Sequence, residues 1–116
     1  MSLLRSQIST TSEEYRENHA FHLTLNQDLE RRLEDVRKGG DERSHARHRE
    51  QGKLFVRDRI AKLLDEGSPF LEIGALAGHE LYEDPVPAGG LVCGVGLVRG
   101  RQCMIVANDA TVKGGT

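Results

Sequence analysis

Hydrophobic residues in the first third of the chain recur at helical spacing. A capping box over residues 11–14, Thr-Ser-Glu-Glu, predicts that a helix begins there with Thr11 as its N-cap, and Gly39-Gly40 is predicted to end it. The apolar positions form one narrow stripe on a charged rod: Tyr15, His22, Leu25, Leu29, Leu33 and Val36. Because a single stripe has no core of its own, we expect this helical arm to lie on another surface of its own chain or of a neighbouring subunit.

Two short helices and a short strand are predicted next. Residues 41–51 are almost wholly polar, and Ser44 is the predicted cap of a helix that Gly52 ends. Helical spacing of apolar residues predicts an amphipathic helix over residues 56–65, followed by a strand at 70–73 and a proline-stiffened loop at 84–88. These elements lead the chain to its most regular region.

That region is a predicted β-hairpin, with strands at residues 91–98 and 101–107 joined by Arg99-Gly100. One face of the first strand carries Gly94 and Gly96, so we expect another part of the protein to pack closely there. Both faces of the second strand are apolar, which predicts burial on both sides. A lone hairpin cannot bury both faces, so we expect this chain by itself to expose hydrophobic surface.

Charge and glycine are distributed unevenly over the 116 residues. Residues 1–66 hold 13 Lys or Arg and 13 Asp or Glu, whereas residues 67–116 hold 3 and 5 but contain ten of the 13 glycines. We interpret the chain as an α/β protein with a charged helical arm, residues 1–40, and the start of a β-containing domain, residues 41–116. It is interpreted as the front end of a longer protein.

Composition argues against several classes of partner. The formal net charge is -2, and the sequence has neither the basic stripe nor the aromatic platforms that would indicate binding to nucleic acid. No apolar run approaches the roughly 20 residues that span a bilayer, and the first ten residues lack the apolar segment of a signal peptide. We therefore expect a soluble protein without a membrane partner. Cys93 and Cys103 could face each other on adjacent strands, but they are expected to be reduced, as small core hydrophobes.

Four histidines form two pairs at helical i, i+3 spacing: His19 with His22 and His45 with His48. A closed zinc site needs four ligands, and no supporting motif appears, so no metal site is predicted. The nearby cations are expected to pair with acidic side chains rather than bind phosphate: Arg47, Arg49, Lys53, Arg57 and Arg59. A different turn, Lys113-Gly114-Gly115, combines a cation with exposed backbone amides and can hold an anion.

Four stretches in the same order resemble the carboxyltransferase β subunits of biotin-dependent acyl-CoA carboxylases. They are residues 52–60, 64–72 (Leu-Asp-Glu-Gly-Ser-Pro-Phe-Leu-Glu), 86–90 (Val-Pro-Ala-Gly-Gly) and 103–116. The resemblance covers about residues 45–116. The version Asn-Asp-Ala-Thr-Val-Lys-Gly-Gly is most similar to the methylcrotonoyl-CoA and geranyl-CoA branch, since propionyl-CoA carboxylases usually carry an aromatic where Ala110 stands and lack the lysine.

The resemblance implies the opening β-β-α part of a crotonase-like fold. It implies transfer of a carboxyl group from carboxybiotin to an acyl-CoA, with 3-methylcrotonoyl-CoA of leucine degradation favoured and geranyl-CoA or propionyl-CoA as alternatives. Biotin would be carried by a partner, the biotin carboxylase and biotin carrier subunit, and β subunits would associate with one another. The protein would lie in the bacterial cytoplasm, or in the mitochondrial matrix of a eukaryote. The oxyanion-hole glycines are expected beyond residue 116, so no catalytic residue is assigned here and the chain alone is expected to be inactive.

Within the chain, the resemblance places Lys113, Gly114 and Gly115 near the acyl-CoA groove, where they would contact the CoA phosphates or adenine. The structural alternative is that the glycines only turn the chain and Lys113 is solvated. Asn108 and Asp109 are expected to tie the turn to its own backbone. A rival from another class is a non-catalytic assembly module, and glycine-rich strand-to-helix turns further along the reading frame would distinguish the two.

Overall fold

The computed structural model describes residues 3–115. The described part contains three α-helices, α1 (Glu13–Arg37), α2 (Glu42–Glu50) and α3 (Val56–Leu63). It also contains three strands, β1 (Leu71–Ile73), β2 (Leu91–Val98) and β3 (Arg101–Asn108), which form one antiparallel sheet in the order β1-β2-β3. Short 3-10 segments at Pro87–Gly90 and Lys113–Gly115 flank the hairpin.

The chain divides into two compact units, and the division falls between Arg31 and Arg32. In the first unit, the Ser12 hydroxyl caps α1 by accepting a hydrogen bond from the Tyr15 amide at 3.2 Å. The prediction of Thr11 as the N-cap is wrong, because the helix begins one residue later than predicted. The Thr11 hydroxyl instead contacts the Ser9 hydroxyl. Two residues of the predicted stripe, Leu25 and Leu29, are 49% and 46% exposed. Their contact with another surface therefore stays a prediction.

In the second unit, the N-cap of α2 differs from the residue predicted from the sequence. Its N-cap is Asp41, whose Oδ1 accepts a hydrogen bond from the Ser44 amide at 2.7 Å, so the prediction of Ser44 as the cap is wrong. Aspartate precedes the helix in extended backbone, the geometry in which a side-chain oxygen reaches the third helical amide. Hydrogen bonds from Ser44 lower the pKa of the Asp41 carboxyl.

The hairpin is confirmed, with Val98 paired to Arg101 across a two-residue turn. Arg99 and Gly100 both have left-handed backbone, with φ of 51° and 74°, as a type I′ turn requires. Asp65, just beyond α3, holds this turn: its two carboxylate oxygens accept the amides of Arg99 and Gly100, each at 2.6 Å. The Asp65 amide also donates to the Leu97 carbonyl at 2.9 Å, so the helix end and the hairpin tip are fixed together.

The glycine face of β2 packs against α3 and the segment that precedes β1. One buried core cluster is formed by Val56, Ile60, Val92 and Ile105, and Phe55, Leu64, Phe70 and Ala107 pack against it. A Cβ added at Gly94 would lie 2.5 Å from both the Leu71 carbonyl oxygen and Cζ of Phe70. One added at Gly96 would overlap Cδ2 of Leu64. The predicted close approach to these two glycines is therefore confirmed.

The opposite face of the sheet is open in the described residues. Met104 and Val106 are each 63% exposed, as expected of a hairpin that cannot bury both faces by itself, and burial of this second face of β3 stays a prediction. The cause of the exposure is that α3 covers only the glycine face. By the strand register, the open side is lined by Leu71, Ile73, Leu91, Cys93, Val95, Leu97, Met104 and Val106, which we call the apolar sheet face. Its exposure agrees with the hydrophobic surface expected of a lone hairpin.

The two cysteines lie on opposite faces of the sheet. The register pairs Cys93 with Val106 and Cys103 with Gly96, because the turn is centred on Arg99-Gly100. The interpretation that they could face each other is therefore wrong. Both are free and half-buried. Within residues 3–115, none of the helices combines the length and apolar character needed to cross a membrane.

Candidate functional site

The turn that follows β3 is built from left-handed backbone. Lys113, Gly114 and Gly115 have φ of 43°, 74° and 81°. This conformation costs a residue with a Cβ about 1–2 kcal/mol, which explains why two of the three residues are glycines. Lys113 adopts it despite that cost. No heavy atom lies within 4 Å of a Cβ added at Gly114, whereas one added at Gly115 would lie 3.2 Å from Cα of Ala110. Gly114 therefore borders open space, and Gly115 is packed.

The Lys113 side chain is 54% exposed at this turn. Its Nζ lies 3.7 Å from Oδ2 of Asp84, whose side chain is 82% exposed. An ion pair this open to water is weak, so an anion of higher charge could compete for the ammonium group. Of the three residues predicted from the sequence, Lys113 and Gly114 thus border open space, whereas Gly115 is packed inside the turn.

Asn108 and Asp109 hold the turn through its own chain. The side-chain amide of Asn108 donates to the Gly115 carbonyl at 2.8 Å. Oδ1 of the buried Asp109 accepts the amide of Thr111 at 2.9 Å and its hydroxyl at 2.5 Å. The prediction that these two side chains tie the turn to its own backbone is confirmed.

Sequence reasoning missed a second set of contacts, which joins this turn to the segment after α1. The Gly40 amide donates to the Thr111 hydroxyl at 2.9 Å. A Cβ at Gly40 would overlap the Thr111 carbonyl group, and one at Gly39 would lie 2.7 Å from Oδ2 of Asp109. Gly39-Gly40 therefore does more than end a helix. A second adjacent glycine, which helix termination does not require, was the signal in the sequence.

Two further backbone contacts complete the support of the turn. The Asp109 amide donates to the Gly90 carbonyl at 2.9 Å, and Nη2 of Arg59 donates to the Asn108 carbonyl at 2.8 Å. Gly90 follows Ala88 and Gly89 in left-handed backbone, with φ of 77°, which aims its carbonyl at β3. Three segments distant in sequence therefore converge on residues 108–111.

Two of the cationic side chains that were expected to pair with acidic residues do so, Arg57 in α3 and Arg49 in α2. Arg57 makes a two-bond ion pair with Glu72, at 2.7 and 2.9 Å, in which both side chains are about four-fifths buried. Arg49 pairs with Glu42 at 2.5 Å, and this contact lowers the pKa of the Glu42 carboxyl. Arg59 differs, because its partner is the backbone carbonyl of Asn108.

The imidazole rings of both histidines in α2 hydrogen-bond to backbone carbonyl groups. Nε2 of His45 lies 2.7 Å from the Lys38 carbonyl, and its ring packs on Phe55 with centroids 4.8 Å apart. Nε2 of His48 lies 2.9 Å from the Leu54 carbonyl. In both contacts the ring nitrogen carries the proton and donates. In the part of the chain that the structure describes, no cluster of three or more His, Cys, Asp or Glu is placed to hold a metal ion.

Residues 47–116 match the model of the carboxyl transferase domain. The chain belongs to this family. It is 52% identical to the probable mitochondrial methylcrotonoyl-CoA carboxylase beta chain of Drosophila melanogaster, across 99% of this chain and 20% of that protein. It is also 52% identical to the biotin-dependent 3-methylcrotonyl-coenzyme A carboxylase beta1 subunit of Mycobacterium tuberculosis, across 82% of this chain and 18% of that protein.

Solved structures show the same relationship. The beta subunit of Pseudomonas aeruginosa geranyl-CoA carboxylase superposes with a TM-score of 0.65 at 29% identity, covering 97% of this chain and 21% of its own. Transcarboxylase 12S with methylmalonyl-coenzyme A bound gives a TM-score of 0.70 at 35% identity, covering 82% of this chain and 19% of its own. The chain thus has the opening part of the crotonase-like carboxyltransferase fold, and it spans about a fifth of the length of these relatives.

Proposed function

We propose that this chain is the amino-terminal part of a carboxyltransferase subunit that moves a carboxyl group from carboxybiotin to an acyl-CoA. The observation that carries the proposal is the family match over residues 47–116. The favoured substrate is 3-methylcrotonoyl-CoA, because relatives named for it reach 52% identity, against 40% for the propionyl-CoA carboxylase beta chain of Cereibacter sphaeroides. Geranyl-CoA and propionyl-CoA are the alternatives.

Within this chain the proposed substrate contact is the turn Lys113-Gly114-Gly115, in which Gly115 shapes the turn because its amide and its carbonyl are both hydrogen-bonded inside it. A lysine that is half exposed beside open glycine backbone can offer a phosphate its ammonium group and a neutral donor together. CoA phosphates lie far from the reacting carbon, so the contact contributes binding rather than chemistry. No catalytic role is assigned to residues 1–116, and the oxyanion-stabilising groups are expected elsewhere in the complete subunit.

The complete protein would work with a partner that carries biotin, the biotin carboxylase and biotin carrier subunit. Association of β subunits is supported by the transcarboxylase 12S structure, which was solved as a hexamer assembly. In this arrangement residues 1–40 form a helical arm, and residues 41–116 begin the carboxyltransferase domain. The Drosophila and Arabidopsis thaliana relatives are named as mitochondrial, which supports the mitochondrial matrix for a eukaryotic source. For a bacterial source we propose the cytoplasm.

The test is acyl-CoA-dependent incorporation of labelled bicarbonate by the complete β subunit together with its biotin-bearing partner. We expect kcat/KM to be highest with 3-methylcrotonoyl-CoA, and lower with geranyl-CoA and propionyl-CoA assayed in parallel. A ranking led by another acyl-CoA would overturn the substrate assignment. Assembly with the partner but no carboxylation of any acyl-CoA would favour the non-catalytic assembly module instead.

A further inference from the structure

A buried hydroxyl links the end of the helical arm to the turn that carries Lys113. Thr111 is only 3% exposed, and its hydroxyl oxygen makes two hydrogen bonds. It accepts from the Gly40 amide at 2.9 Å and donates to Oδ1 of Asp109 at 2.5 Å. Asp109, at 4% exposure, is in turn bonded through its amide to the Gly90 carbonyl.

The contact with Gly40 is close and leaves the turn little room to shift. Because an added Cβ would overlap the Thr111 carbonyl group, the two backbones touch directly at this point. On the other side of the turn, the Gly115 amide donates to the Val112 carbonyl, and the Gly115 carbonyl accepts from Asn108, both at 2.8 Å. Lys113 therefore stands between two anchored points, and Thr111 supplies the first of them.

We propose that Thr111 is a positioning residue for the acyl-CoA contact, holding the Lys113 turn against the segment that ends the helical arm. This inference rests on the proposed role of Lys113. A turn already fixed in its binding geometry loses less conformational entropy when the ligand arrives, so affinity depends on a hydroxyl that the ligand does not touch. The hydroxyl acts on binding and not on the chemical step, so its removal should raise KM and leave kcat unchanged.

The experiment compares Thr111→Val and Thr111→Ser in the complete β subunit with its biotin-bearing partner. Thr111→Val keeps the shape and removes both hydrogen bonds. It should raise the KM for acyl-CoA by roughly five-fold, the factor for one neutral hydrogen bond, because only the bond to Gly40 joins the turn to another segment. Thr111→Ser keeps the hydroxyl and should restore a KM near the wild-type value. Ile60→Val is the control: it loosens the core of α3 and should lower the melting temperature without changing KM.

Each outcome separates this inference from the proposed function. If Lys113→Ala leaves KM unchanged, the CoA contact itself is wrong. If Lys113→Ala raises KM but Thr111→Val does not, the positioning role is overturned while the CoA contact stands. If both raise KM, the double variant should resemble Lys113→Ala alone, since the two residues act through one contact. Additive effects would show that Thr111 does not act through Lys113.

A second measurement decides the matter if Thr111→Val does not fold. Hydrogen exchange is followed at the Gly40 amide of the wild-type subunit with and without saturating coenzyme A. A ligand that holds the turn should strengthen the Gly40 to Thr111 hydrogen bond and slow this exchange. Unchanged exchange at Gly40, with coenzyme A bound, would overturn the inference.

Discussion

Replacing Gly94 with alanine should destabilise the chain, because the glycine face of β2 has no space for a methyl group. The added Cβ would lie 2.5 Å from the Leu71 carbonyl oxygen and 2.5 Å from Cζ of Phe70, whereas real Cβ atoms essentially never come within 3.0 Å of another group. Phe70 can rotate, but the carbonyl belongs to the backbone of the adjacent strand. The sheet itself must therefore shift.

The size of the effect follows from this geometry. Overpacking a well-filled core costs about 1–3 kcal/mol, and we expect a value near 3 kcal/mol because backbone is involved. Gly96→Ala should cost less, about 1 kcal/mol, because the first atom its Cβ meets is the end of the Leu64 side chain. If the strand had room, alanine would instead stabilise the protein by about 0.4–1 kcal/mol by restricting the unfolded chain. The sign of the change thus decides the question.

The assay is urea unfolding followed by far-ultraviolet circular dichroism, with all variants at one protein concentration because association shifts apparent stability. With a slope of about 1.5 kcal/mol per M, the midpoint of Gly94→Ala should fall by about 2 M. Gly100→Ala is the matched control: nothing lies within 4 Å of its Cβ, and its φ of 74° alone should cost about 1 kcal/mol. A midpoint for Gly94→Ala at or above the wild-type value would show that the glycine face of β2 has space for a methyl group.

Three further predictions concern association, pH and the helical arm. The apolar sheet face should make the isolated chain associate, and Met104→Lys should shift its sedimentation towards the 12.9 kDa monomer; a monodisperse wild-type monomer would contradict this. Because Ser44 lowers the pKa of Asp41, the stability from this cap is present above the carboxyl's unfolded pKa of about 3.9 and is lost as pH falls through the folded pKa. Acid should therefore reduce helicity less in Asp41→Asn than in wild type, and identical acid profiles would disprove the role of the cap. Leu29→Asp should disturb assembly of the complete subunit; unchanged size and stability would show that the arm is dispensable.

Elements with a local chemical signal were predictable from the sequence. The hairpin depends on the left-handed pair Arg99-Gly100, and the close packing on β2 depends on two glycines within a strand. Caps were less well predicted, because several residues able to cap stand side by side. Ser12 rather than Thr11 caps α1, and Asp41 rather than Ser44 caps α2, because backbone geometry that the sequence does not specify selects the capping residue.

Contacts between distant segments could not be predicted. The Gly40 amide meets the Thr111 hydroxyl across 71 positions, and Asp65 meets the hairpin turn across 34 and 35. The residue types involved, Gly, Thr and Asp, are equally common in ordinary turns and caps, so only their placement in the fold reveals the pairing. The apolarity of both faces of β3 indicated that a lone hairpin would leave one face exposed, but not which segments would cover the other face.

The proposed contact of Lys113 and the adjacent glycines with acyl-CoA can be measured through Lys113→Ala in the complete β subunit. Loss of a charged contact to phosphate should raise the KM for acyl-CoA by roughly ten-fold, equivalent to about 1.4 kcal/mol, with kcat nearly unchanged. The effect should shrink at high salt, where the charge is screened. Lys62→Ala, which removes an exposed lysine from α3, is the control and should leave KM as it is. A KM for Lys113→Ala equal to the wild-type value, with only a lower melting temperature, would show that the turn is purely structural and does not contact acyl-CoA.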